Sequence, residues 1–84
     1  MPQVTDEQVK TLVTDIATAL VGTSEGVSVE QFAEDGEIVF ELTVPEPAMG
    51  KVIGKSGRTA KALRSVLDAI GEAQQKRYVL DIVE

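Results

Sequence analysis

The stretch IVFELTV, residues 38 to 44, puts Ile38, Phe40, Leu42 and Val44 on one side of an extended chain and Glu41 and Thr43 on the other. Such a strand must be covered by another layer on its apolar face and paired along its edges. Pro45 ends it, and Asp35-Gly36 just before it is a hairpin turn signal. The strand upstream is less regular. Val27 and Val29 alternate with polar residues, and the phase slips before Phe32, which predicts a bulge there. The next extended stretch is Tyr78 to Val83, where Tyr78, Leu80 and Ile82 alternate with Val79, Asp81 and Val83 and give apolar residues on both faces.

Helical periodicity fills the remainder. Thr5-Asp6-Glu7-Gln8 reads as a capping box. Val9, Leu12, Val13, Ile16, Ala17 and Leu20 then form one apolar stripe on a helix that stops at Gly22. Pro47 opens a short helical segment, roughly 46 to 53, that ends at Gly54. A further helix starts after Gly57, with Ala60, Leu63, Leu67 and Ile70 as a narrow core stripe widened by Val66 and Ala73. The order is α-β-β-α-α-β. Two helices between the second and third strands predict a parallel, right-handed crossover. The expected fold class is α+β, a three-stranded mixed sheet with three helices on one face, and residues 1–84 are expected to form a single domain.

The chain has neither cysteine nor histidine. That removes disulfides, thiolate metal sites, the commonest metal ligand and the commonest general base. No D-x-D spacing or nucleophile–base pair suggests a metal site or catalysis, so the expectation is a binding protein without cofactor. The amino-terminal MPQVTDEQVK lacks the features of a signal peptide, and no apolar run approaches the ~18 residues of a membrane span. A cytoplasmic location is expected.

The net charge of −6 is unevenly spread. Residues 1 to 50 carry one base, Lys10, against ten acids; residues 51 to 84 carry seven bases against four acids. From Lys51 to Leu67 there are five cations and no anion. Exposed charges more than roughly 8 Å apart are largely screened at physiological salt, so a ligand there mainly meets the basic cluster.

That cluster surrounds GKVIGKSGRT, residues 50 to 59. Its phosphate-binding vocabulary admits three readings: a nucleotide site, a nucleic-acid backbone site, or a plain inter-helix turn. A Walker A loop is excluded, because its first glycine would fall on Met49 and a buried strand should precede it. The remaining motif is GXXG, Gly54-Lys55-Ser56-Gly57, between two helices. Gly54 can take positive φ and end the first helix, while Gly57 leaves no side chain in front of the second helix's N–H groups, an anion site. GXXG is weak as a tetrapeptide; its placement is more specific. Arg58 and Lys61 lie in the first turn of that helix and Asp68 and Glu72 farther along, opposite to what the macrodipole favours. Arg58, Lys61 and Arg64 form a stripe beside the loop. The bland alternatives are a solvated helix face and ordinary helix punctuation.

VIGKSGRT resembles the VIGxxG core of the KH domain, and the element order resembles its bacterial, type II arrangement. GKVIGKSGRTAKALR, the Pro-rich entry after the second strand and the carboxy-terminal VLDIV are similar to the small single-domain bacterial KH proteins of the KhpA family. The resemblance covers essentially the whole chain. It implies a single-stranded RNA-binding protein whose GXXG loop clamps about four nucleotides. It also implies self-association, pairing with a larger KH protein of the Jag type, and a connection to envelope growth and RNA metabolism. Carried onto this sequence, the RNA-binding residues are Gly54, Lys55, Ser56, Gly57 and Arg58, supported by Lys51, Lys61 and Arg64, with Val52 or Ile53 on the apolar groove floor. The competing reading is a protein-interaction domain on the same scaffold, using Met49, Val52 and Ile53 beside an acidic half.

Overall fold

A computed structural model describes residues 4–84. The first three residues of the amino-terminal stretch discussed above lie outside them. The helices and strands follow the expected order: α1 (Asp6–Val21), β1 (Ser28–Glu34), β2 (Glu37–Thr43), a 3₁₀ turn at Glu46–Ala48 running into α2 (Met49–Ile53), a second 3₁₀ turn at Lys55–Gly57, α3 (Arg58–Ala73) and β3 (Tyr78–Val83).

The capping box forms as read. The Gln8 N–H donates to Thr5 Oγ1 at 3.1 Å and the Thr5 N–H donates to Gln8 Oε1 at 2.8 Å. Gly22 ends α1 in the left-handed region, φ 95°. The buried line of α1 is Val9, Val13, Ala17 and Val21. Leu12 and Leu20 sit on its flank, half-exposed, because the sheet covers a narrower arc than the apolar residues span.

The sheet order is β1-β2-β3, with β1 antiparallel and β3 parallel to β2. Asp35 and Gly36 both take positive φ, 51° and 80°, as a type I′ turn requires. The pairing runs without interruption from Ser28↔Thr43 to Glu34↔Glu37, so the expected bulge before Phe32 does not form. Phe32 keeps the strand phase and lies on the face opposite Val29, 39% exposed. The irregular pattern marks an apolar residue on the outer face.

Phe40, Leu42, Val44, Val9 and Val52 are the largest fully buried side chains. Phe40 meets Tyr78 edge-on, ring centroids 5.4 Å apart. In α3, Ala60 and Leu67 are buried and Leu63 and Ile70 partly so, whereas Val66 is 47% exposed and Ala73 is exposed. The widening of the core stripe is thus corrected: those residues turn past the edge of the sheet.

Two ends of the chain are joined by a polar cluster. Asp6, in the first turn of α1, accepts from the Tyr78 hydroxyl at 2.7 Å and from Lys76 Nζ at 2.9 Å. Those bonds, the tyrosine's first, hold the Asp6 carboxyl below its ordinary pKa. Burial, reinforced by the Asp6 carboxylate, pushes the Tyr78 phenol up to about 12. Arg77 pairs with Glu37 at 3.2 Å. Lys76, through Asp6, and Arg77, through Glu37, fasten the last strand.

Candidate nucleic-acid interface

The loop between α2 and α3 takes a backbone path that its sequence dictates. Gly54 has φ 80° and ψ 169°, a combination open to glycine alone. A Cβ there would also collide with Thr59, whose backbone nitrogen would be 2.9 Å away. Gly57 has φ 75°, and a Cβ there would meet nothing within 4 Å. Ser56 is left-handed as well, φ 57°, a strained choice for a residue other than glycine, asparagine or aspartate. Such strain persists only where the surroundings over-determine it, and it collects at ligand-binding turns.

The hydrogen-bond bookkeeping refines the expected anion site. The Gly57 N–H donates to the Gly54 carbonyl at 3.1 Å, and the Arg58 N–H donates to the Lys55 carbonyl. Among the described residues, the N–H groups of Lys55 and Ser56 make no backbone hydrogen bond. The free donors therefore sit at the loop's crown, one step before the helix. Lys55, Ser56, Arg58 and Lys61 are exposed, and among the described residues none of these three cations pairs with a carboxylate. The gap is open and its cations are unneutralised.

The supporting residues separate. Lys51 reaches away from the crown, its Nζ donating at 3.5 Å to the Val21 carbonyl at the end of α1. Val52 is fully buried in the core and offers a ligand no surface. Of the two candidates for an apolar floor, half-buried Ile53 remains. Arg64 Nε donates at 3.2 Å to the Leu80 carbonyl and so bridges α3 to β3.

That bridge reveals a feature the sequence did not announce. The Ile38 N–H donates to the Arg77 carbonyl and the Val44 N–H to the Val83 carbonyl. In a parallel ladder this turns the backbone groups of residues 77, 79, 81 and 83 toward β2 and those of Tyr78, Leu80 and Ile82 outward. β3 is an edge strand, and beside its Tyr78, Val79 and Leu80 lies a groove of about 250 Å³ lined also by Arg64 and Asp68 of α3 and by Glu37 and Arg77. Outward donors and acceptors on a strand edge, here partly engaged by Arg64, are legible only once the sheet order is known.

A family profile described as KhpA/KhpB, KH domain matches residues 10–82. The chain belongs to that family. An RNA-binding protein KhpA from Halalkalibacterium halodurans is 49% identical over 75 residues, 89% of this chain and 99% of the relative. The protein of the same name from Aquifex aeolicus is 44% identical over 75 residues, 89% of this chain and 95% of the relative. That from Clostridium acetobutylicum is 42% identical over 74 residues, 88% and 99% of the two chains. No solved structure matches. The matched region of this KhpA/KhpB-family chain contains the whole GXXG loop and both helices that frame it.

Proposed function

We propose that this chain is a single-stranded RNA-binding protein whose Gly54–Gly57 loop clamps the sugar-phosphate backbone. The observation that carries the reading is the open crown: two N–H groups, at Lys55 and Ser56, unbonded among the described residues, beside Lys55, Arg58 and Lys61, which have no carboxylate partner among them. Phosphates are bound by backbone N–H groups and cations together, whereas bases need edges and faces to rest on. The outward Leu80 N–H and the outward backbone of Ile82 supply hydrogen-bonding edges, the Leu80 carbonyl being held by Arg64, and Ile53 supplies apolar floor. Arg64 lies between loop and edge strand, where it meets backbone or base; Lys51 adds charge only at a distance. The work is binding rather than catalysis, and the family's relatives carry the name of RNA-binding proteins. We place it in the cytoplasm, as one domain.

With Phe32, Phe40 and Tyr78 its only aromatics, and Phe40 and Tyr78 buried, the chain has little to stack bases on. Sequence discrimination is then modest, and affinity rises through a second KH module, either a copy of this chain or a Jag-type partner. The exposed Val66 on α3 favours such a contact. The test is titration with short single-stranded RNA while following amide shifts. Movement at 54 to 58, and at 80 to 82, supports the clamp; unmoved amides at 54 to 58 with saturable binding elsewhere overturn it.

A further inference from the structure

The outer face of the sheet, opposite the helices, is organised in rows. Strand register places Phe32, Val39 and Val79 side by side across all three strands. Val39 is only 5% exposed although it does not belong to the core cluster; its neighbours in this row shield it. The adjoining row is Glu30, Glu41 and Asp81, and on the other side lie Glu34 and Glu37. Five carboxylates thus surround one apolar band. Arg77 is the cation beside them, and Glu37 already holds it at 3.2 Å. Glu30, Glu41 and Asp81 have no ion-pair partner among the described residues, and no acid trio there is arranged to hold a metal ion. Like charges directly opposite on neighbouring strands destabilise a sheet. Here the destabilising arrangement occurs twice in one row, on the sheet face that no helix among the described residues covers.

We propose that this face docks a basic segment of another protein, one that presents lysine or arginine around apolar side chains. The charge rules out RNA as the occupant. It also opposes a face-to-face second copy, which would set acid against acid. Phe32 enters the apolar centre of the contact, and Glu30, Glu41 and Asp81 meet the cations at its rim. The surface lies on the far side of the sheet from the helices that carry the GXXG loop, so both can be engaged together.

The probe is a short peptide of alternating lysine and valine, with a lysine–serine peptide as control, titrated into the full chain by amide shifts. The expected result is movement at residues 30, 32, 39, 41, 79 and 81, with 54 to 58 unmoved. Phe32→Ala should weaken binding of the lysine–valine peptide about tenfold, as loss of an interface anchor does. Glu30→Gln with Glu41→Gln should weaken it and flatten its salt dependence. Phe32→Ala uncovers Val39 and lowers the thermal midpoint somewhat, so it is parental amide shifts in the helices and the GXXG loop that certify the variant's fold. RNA titrations of these variants at 150 mM salt should match the parent, which separates this contact from the RNA clamp. Equal affinity for the lysine–serine peptide, no effect of Phe32→Ala, or shifts confined to other surfaces would overturn the proposal. So would a concentration-dependent size of the free chain that Phe32→Ala abolishes, since that would make the occupant another copy.

Discussion

Replacing both central loop residues, Lys55→Asp with Ser56→Asp, separates binding from folding because the two effects have opposite signs. Among the described residues neither side chain makes a hydrogen bond or ion pair, and both are exposed. Ser56 sits at φ 57°, a region that aspartate tolerates better than most residues. Two carboxylates just before α3 are also what the helix dipole favours, by ~0.3–1 kcal/mol each when exposed. The thermal midpoint should therefore hold or rise slightly, within ~4 °C of the parent. Binding should do the reverse. With about four phosphate contacts at roughly −0.7 each, the parent's log K against log[salt] slope is about −3. That corresponds to a loss of roughly fiftyfold between 50 and 200 mM salt. Removing Lys55 cuts the slope to about −2, and the new acids add repulsion against every phosphate at the crown. At 150 mM salt no saturable RNA binding should survive, by fluorescence anisotropy with a labelled single strand. Retained affinity with the parent's salt slope, in a variant of parental stability, would show that the loop is not the clamp.

The two loop glycines should respond differently. Gly57→Ala meets open space and loses ~1–2 kcal/mol from its left-handed φ alone, while Gly54→Ala adds a clash with the Thr59 backbone and should cost more, by chemical denaturation. Because the Asp6 pKa is depressed in the folded state, the stability it contributes is present above its ordinary value of 3.8 and is lost as pH falls below it. Tyr78→Phe should raise the Asp6 pKa, followed by carboxyl carbon shifts, and weaken that acid dependence while leaving the part due to Lys76; an unchanged Asp6 titration would refute the link. The Tyr78 phenol, raised to about 12, carries the opposite sign: its contribution is intact below pH 10 and disappears as pH climbs from there toward 12. Phe40→Ala, at a fully buried ring, should cost ~3–5 kcal/mol and leave a chain of this size largely unfolded.

Element order, strand pairing sense and the Asp35-Gly36 turn were readable because each rests on local chemistry: alternation, helical spacing, caps, Gly and Pro. What failed was depth. Periodicity gives the direction of a side chain but not how far the opposing layer extends. Leu12, Leu20 and Val66 therefore pointed roughly inward in sequence and emerge half-exposed in the fold. The GXXG crown was legible for the same local reason, as a glycine pair between helices. Its supporting cast was not. Lys51 is drawn to the Val21 carbonyl, thirty residues back, and Arg64 to the Leu80 carbonyl, sixteen residues on. Long flexible cations go to whichever acceptor the tertiary fold brings near, and sequence spacing carries no record of that.

Phe32 shows how a mistaken local reading can still carry information. A bulge would have returned its ring to the core; an unbroken ladder instead keeps it on the outer face among carboxylates. The same ladder explains how a chain of net charge −6 can present itself to a polyanion. Strand alternation sends Glu30, Glu34, Glu37, Glu41 and Asp81 to the face away from the helices, while Lys55, Arg58 and Lys61 gather at the α2–α3 junction. A helix layer packed on a sheet keeps the two groups on the order of 10 Å apart, beyond the screening length of about 8 Å at physiological salt. Lowering the ionic strength lengthens that reach to ~30 Å, so below roughly 10 mM salt the acids should begin to oppose RNA and the linear salt dependence should bend. Glu30→Gln with Glu41→Gln should straighten it at low salt and leave affinity at 150 mM unchanged. A plot equally curved in parent and variant would mean that the two charge groups are not electrostatically separate.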